Sequence, residues 1–184
     1  ETFWDKILAS KILEKLGFQP KTYVVATIHR QENTDDSHNL EDILNLLQEV
    51  NNSIPVVFPL HYRTQKKIKE LGYGNLLQNL KITEPLGYFD FLNLMLNSKG
   101  VITDSGGIQE ETSHLGIPCA TLRDNTERPI TIEVGSNKLF PIRDATPAEI
   151  LAHLERTDFN ARHIPLWDDK VSERIFKALK ETYL

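Results

Sequence analysis

Cysteine is nearly absent, with Cys119 the single one among 184 residues. An intrachain disulfide is therefore impossible, and a zinc site built on thiolates is disfavoured. Such cysteine usage fits a reducing, cytoplasmic setting. Positive charge is also short: 21 Lys and Arg against 26 Asp and Glu leave a net charge of −5. Nucleic-acid binders cluster cations along a phosphate track, so no nucleic-acid partner is expected. The sequence shows no signal-peptide pattern and no apolar run of membrane-spanning length, and no membrane partner is expected. It also lacks a Walker loop and a Gly-x-Ser-x-Gly elbow, which removes the P-loop and α/β-hydrolase readings.

Short β-rich runs alternate with helical periodicity along the whole chain. A helix is expected over Asp5 to Leu16, then a strand over Tyr23 to Ile28. Leu40, Ile43, Leu44, Leu47 and Val50 recur at helical spacing. Strands are expected at Pro55 to Leu60, Leu80 to Thr83, Gly100 to Asp104 and Ile117 to Leu122, with a short one near Lys138 to Pro141. Helices are expected at Arg63 to Leu71, through Phe89 to Leu96, at Ile108 to Leu115, at Pro147 to Glu155 and at Asp169 to Thr182. The alternation implies one α/β domain over residues 1–184, a Rossmann-like doubly wound parallel sheet with helices on both faces. Folds of this kind bind ligands beyond the carboxyl ends of their strands, where strand order reverses.

Those strand ends are polar here. HRQEN (His29 to Asn33) follows the first strand and HYRT (His61 to Thr64) the second. TDSGGIQEE (Thr103 to Glu111) closes the fourth strand and opens a helix, and RDNTERP (Arg123 to Pro129) follows the fifth. Ser105, Gly106 and Gly107 would stand at a helix N-terminus, where backbone N–H groups lack internal partners and the dipole is positive. Missing Cβ atoms would let a phosphate reach those donors. The competing reading is a tight turn that needs positive φ. Glu111 follows Gly107 by four residues and so shares its helix face. A carboxylate there suits ribose hydroxyls, as in dinucleotide sites, or else complements the helix dipole at about 0.3–1 kcal/mol. Glu110 points elsewhere and takes the dipole reading.

His29 has the chemistry of a general acid, a general base or a phosphate donor, and Arg30 suits bidentate phosphate contact. Both also fit a polar loop leading to a helix capped by Asp35, Asp36 or Ser37. His61 is read as a hydrogen-bonding loop residue in preference to a catalyst. Neither histidine has partners at metal-ligand spacing, so no metal site is expected. Cys119, inside an apolar strand, is read as a small core residue.

Taken together, HRQEN, TDSGGIQEE, RDNTERP and the tail DDKVSERI (Asp168 to Ile175) resemble the C-terminal domain of non-hydrolysing UDP-N-acetylglucosamine 2-epimerases, in the right order and over almost the whole chain. The hydrolysing relatives lack this form of the His-Arg-x-Glu-Asn segment. The resemblance implies one half of a two-domain, glycosyltransferase-B-type architecture whose active site lies between the halves. The chain opens on Glu1 and not Met, which fits an absent N-terminal domain. By that resemblance Ser105 and Gly106 hold the diphosphate and Glu111 the ribose, while Gly107 and Arg30 join the UDP-binding residues on the phosphate chemistry given above. The backbone near Phe91 meets the uracil, Arg128 borders the nucleotide sugar, and His29 is the catalytic residue near the scissile bond.

The family eliminates UDP from a UDP-sugar and re-adds it with the other configuration at carbon 2, converting UDP-GlcNAc to UDP-ManNAc for cell-surface polysaccharide. The resemblance implies no metal or redox cofactor, proton-moving carboxylates in the missing domain, and a homodimer of the full-length protein. One departure stands out: the family's usual His-x-Asn-Pro after the second strand is His61-Tyr62-Arg63-Thr64 here. That region adjoins an allosteric UDP-sugar site in bacterial members, so the departure bears on allosteric control. Epimerisation of a modified UDP-sugar, such as a diacetamido-uronate, stays open, as does a non-catalytic UDP-binding module. A glycosyltransferase of the same architecture ranks last, because such enzymes lack the His-Arg-x-Glu-Asn segment.

Overall fold

The computed structural model describes residues 3–159 and 164–183. The helices are α1 (Trp4–Leu8), α2 (Ile12–Leu16), α3 (Gln31–Thr34), α4 (Ser37–Asn51), α5 (Tyr62–Leu71), α6 (Tyr88–Leu96), α7 (Gly106–Leu115), α8 (Ile130–Glu133), α9 (Pro147–Leu154) and α10 (Val171–Tyr183). The strands are β1 (Val24–Thr27), β2 (Val56–Pro59), β3 (Lys81–Thr83), β4 (Val101–Thr103), β5 (Cys119–Thr121) and β6 (Asn137–Leu139). They form one six-stranded sheet in the order β3-β2-β1-β4-β5-β6, and every pairing is parallel. This is the doubly wound order, with its reversal point between β1 and β4.

Alternation along β1 assigns the two cores. Val24 and Ala26 face one side, packed with Leu40, Ile43, Leu44 and Leu47 of α4 and with Ile150 of α9. Tyr23 and Val25 face the other, with Leu92, Leu94 and Met95 of α6. A strand period of two sends neighbours to opposite faces, so a strand covered on both sides is apolar throughout. Gly100 is required where α9 crosses the entry to β4. A Cβ there would stand 2.6 Å from Leu154 Cδ2 and 2.9 Å from the Pro118 carbonyl.

Three details depart from the expected elements. The opening helix breaks in two because Ser10 is drawn out of it. Its Oγ donates to Asp90 (2.6 Å) and accepts from the Ile12 N–H (3.2 Å), replacing helical bonds with a link to α6. Secondly, α3 and α8 are single turns inside segments read as loops, too short to show a period. A 3₁₀ turn over Tyr73–Leu77 was likewise not expected.

Candidate active site

Register brings the motifs to one height. Thr27 pairs with Thr103 and Thr103 pairs with Thr121, so β1, β4 and β5 end level. His29, Asp104 and Arg123 therefore leave the sheet side by side at the reversal point. An open cleft of about 450 Å³ lies between the exits of β1 and β2, lined in part by His29, Arg30, His61 and Arg63.

Ser105 is the N-cap of α7, yet its side chain makes no capping bond. Its own N–H donates to Thr103 Oγ1 (3.0 Å). Helix geometry leaves the following N–H groups without internal partners. Gly106 and Gly107 are helical, and the left-handed glycines are Gly17, Gly72 and Gly116. The turn explanation for Ser-Gly-Gly is thereby excluded. Packing does not require glycine either. A Cβ on Gly106 would meet Arg30 Nη2 at 3.6 Å and Glu127 Oε2 at 3.9 Å, and one on Gly107 would meet only Ser105 Oγ at 4.0 Å. Those distances place the Arg30 guanidinium and its partner Glu127 together beside the helix start.

The expected site residues fall into groups. His29, Arg30, Ser105, Gly106 and Gly107 converge on the reversal point. Glu111 lies one turn further along α7, near Tyr88 at the start of α6. Burial, opposed in part by the nearby Tyr88 hydroxyl, holds its carboxyl above the usual carboxylate range. Phe91 is set back: its N–H donates to the Gly87 carbonyl (2.9 Å), so the open backbone donors of α6 belong to residues 88–90. Arg128 Nε pairs with Glu110 Oε1 at 2.5 Å, on the neighbouring face of α7.

His61 has a structural task. It is the N-cap of α5, and its Nδ1 accepts from the Arg63 N–H (3.3 Å). Burial, then the neighbouring His29 and Arg63, lower its pKa, so it is neutral at pH 7. Thr64 Oγ1 donates to the Ile28 carbonyl and ties this helix start to the exit of β1.

Several residues that sequence reasoning passed over hold the site together. Asp104 is fully buried and accepts from the N–H groups of His29 and Arg30 and from Asn33 Nδ2. Arg123, also buried, donates to Glu32 (3.0 Å), to both Glu127 oxygens (2.9 and 3.0 Å) and to Asn125 (3.2 Å). Glu127 in turn lies 3.3 Å from Arg30 Nη1. The Arg123 bonds hold the Glu127 carboxyl well below the usual range. Gln109, buried in α7, accepts from Thr126 Oγ1 (2.5 Å) and Asn137 Nδ2 (3.3 Å), and so locks the RDNTERP loop to the helix. Asp104 stood inside a quoted motif. Glu32 lies 91 residues from Arg123, and Thr126 and Asn137 lie 17 and 28 residues from Gln109, so no local spacing announces those links. Among the described residues no group of three or more His, Cys, Asp or Glu side chains is placed to hold a metal ion, and no helix is long and apolar enough to cross a membrane.

The rim gathers the open N–H groups at the start of α7 with Arg30, Glu127 and His29, and a glutamate follows one turn along the helix. Arg30 and Glu127 stand beside Gly106, and Glu111 lies about 5–6 Å further along the helix than Gly107. A family model described as UDP-N-acetylglucosamine 2-epimerase matches residues 1–180. The chain is 43% identical over 161 residues to the UDP-N-acetylglucosamine 2-epimerase of Methanococcus maripaludis, an overlap of 83% of this chain and 42% of that protein. It is 42% identical over 118 residues to the UDP-2,3-diacetamido-2,3-dideoxy-D-glucuronate 2-epimerase of Pseudomonas aeruginosa, covering 64% of this chain and 32% of that protein. The crystal structure of Methanocaldococcus jannaschii UDP-GlcNAc 2-epimerase in complex with UDP-GlcNAc and UDP superposes with a TM-score of 0.79 at 33% identity, over 96% of this chain and 50% of that one. The chain thus spans about half the length of the relatives it matches. It belongs to the UDP-N-acetylglucosamine 2-epimerase family.

Proposed function

We propose that this chain is the UDP-binding, C-terminal half of a two-domain, non-hydrolysing UDP-GlcNAc 2-epimerase that interconverts UDP-GlcNAc and UDP-ManNAc. The observation that carries the reading is the helix start at Ser105–Gly107, whose glycines serve neither backbone conformation nor packing and which lies beside Arg30. The diphosphate sits on the N–H groups of residues 106–108, with Arg30 exchanging part of its contact to Glu127 for a phosphate oxygen. Glu111 accepts from the ribose hydroxyls, and the start of α6 receives the uracil. Arg128 borders the nucleotide sugar. His29 stands at the bond between the anomeric carbon and the diphosphate.

In the reaction that bond breaks with its electron pair passing to UDP, while a base in the other domain removes the proton from sugar carbon 2. Re-addition of UDP to the glycal, with the proton returned to the opposite face, gives the epimer. The full-length protein is read as a cytoplasmic homodimer serving cell-surface polysaccharide synthesis. A second reading, epimerisation of a diacetamido-uronate UDP-sugar, is favoured by the 42% identity to the Pseudomonas aeruginosa enzyme. The sugar-selecting contacts lie partly in the other domain.

Incubating the full-length protein with UDP-GlcNAc in deuterated water tests the proposal. Both epimers carrying deuterium at carbon 2 is the expected result. Free sugar released without re-addition would overturn it, and turnover confined to the diacetamido-uronate would favour the second reading. The chain by itself is expected to bind UDP without epimerising.

A further inference from the structure

Asp104 does more than close β4. One carboxylate oxygen, Oδ2, accepts from the backbone N–H of His29 (3.1 Å), the backbone N–H of Arg30 (2.9 Å) and Asn33 Nδ2 (3.2 Å). The other oxygen, Oδ1, lies 3.2 Å from the His29 N–H and 3.2 Å from His29 Nδ1. An ionised carboxylate only accepts, so the ring nitrogen facing it carries a proton. Nε2, on the far side of the ring, borders the cleft, where the His29 side chain is 36% exposed.

A neutral imidazole protonated at Nδ1 would present a bare lone pair to a phosphate oxygen at Nε2, and two lone pairs repel. Donation from Nε2 then requires the doubly protonated ring. We propose that Asp104 is a positioning residue that fixes a proton on His29 Nδ1, so that His29 meets the leaving diphosphate as an imidazolium donating through Nε2. The inference rests on the reading of this rim as the diphosphate site.

The charges around the ring fit that state. His61, at the start of α5, has its ring centroid 5.5 Å away and is neutral, and Arg63 on the same helix lines the same cleft. Arg30 and Glu32, on the His29 segment, are paired with Glu127 and Arg123. Asp104 opposes the imidazolium from one side, and the diphosphate opposes it from the other. As the bond to the anomeric carbon breaks, negative charge grows on the oxygen that Nε2–H contacts. A charge-assisted bond of this kind strengthens in the transition state.

The test is nitrogen-15 NMR of the histidines in the full-length protein, with and without UDP, from about pH 5.5 to about pH 9. The expected result is Nδ1 protonated in the free protein throughout, with UDP adding a proton at Nε2. Asp104→Asn places an amide against the ring and is expected to shift the proton to Nε2. Turnover should then drop on the order of 10²-fold or more, while KM and UDP affinity stay within about threefold. The wild-type rate should fall on the alkaline side, and that limb should vanish in the variant. A free-protein spectrum with the proton on Nε2 would overturn the inference, as would a variant that keeps both wild-type turnover and the alkaline limb. If Asp104→Asn does not fold, the wild-type spectra decide alone. Absence of UDP binding by the wild type would remove the diphosphate reading while leaving the Nδ1 assignment to stand or fall on the free-protein spectrum.

Discussion

Glu110 and Arg128 form an ion pair, Oε1 to Nε 2.5 Å, between α7 and the segment leading into α8. The next residue, Glu111, lies near Tyr88 on a different element. Two adjacent glutamates are thus divided between holding a loop and bordering the candidate nucleotide site.

This division predicts unequal variants. Glu111→Gln should weaken UDP binding about tenfold or more, since its carboxylate is the proposed ribose acceptor. Glu110→Gln should change affinity less than about threefold, because half-exposed pairs are worth about 0–1 kcal/mol. Calorimetric titration of both variants with UDP checks this, and equal losses would show that general helix-dipole charge explains both.

Gly106→Ala and Gly107→Ala should separate stability from binding. Neither glycine has left-handed backbone and neither added Cβ meets a close neighbour. Alanine in a helix gains roughly 0.5–1 kcal/mol over glycine in the interior and less in the first turn. The melting temperature should therefore hold or rise while UDP affinity drops on the order of tenfold, one step of about 1.4 kcal/mol. A variant that unfolds would refute the claim that these glycines serve only close approach.

Gln109→Leu should loosen the RDNTERP loop without collapsing the fold. The change leaves Thr126 Oγ1 and Asn137 Nδ2 short of an acceptor, although Asn137 Nδ2 keeps Thr131 Oγ1 at 3.2 Å. Removing one partner of a buried polar group costs about 1–3 kcal/mol. Denaturant unfolding should register that loss, and faster amide exchange should be confined to residues 123–129 and their contacts.

His153 gives the fold a pH dependence apart from the site. Its Nε2 donates to the Cys119 carbonyl at 3.0 Å, while Nδ1 is buried with no hydrogen-bond partner among the described residues. Charging the ring would place a proton on that unpartnered nitrogen, and burial accordingly lowers its pKa below the ordinary 6.5. As pH falls through about 6.5 the unfolded chain takes up this proton before the folded one does, so stability is level above that pH and declines below it. Urea unfolding at about pH 7.5 and about pH 5.5 should show the decline, and His153→Gln should reduce it. An unchanged difference in the variant would assign the acid loss to other groups.

Composition and period determined the class of this protein. Alternating apolar runs and helical spacing fix a parallel sheet covered on both faces, because only that arrangement buries strands such as Val24–Thr27 on two sides. The motifs HRQEN, TDSGGIQEE and RDNTERP were legible because a doubly wound sheet presents its strand exits along one rim. Tertiary structure decided how they join. It broke the first helix at Ser10 for a bond to Asp90, 80 residues away, and it gave His61 to a helix cap. It also chose which glutamate meets Arg128 and set Asp104 against His29 across 75 residues. Periodicity is local and survives in the sequence. A hydrogen bond depends on where two backbones have been carried, and that is fixed by the level ends of β1, β4 and β5 and by the packing beneath them.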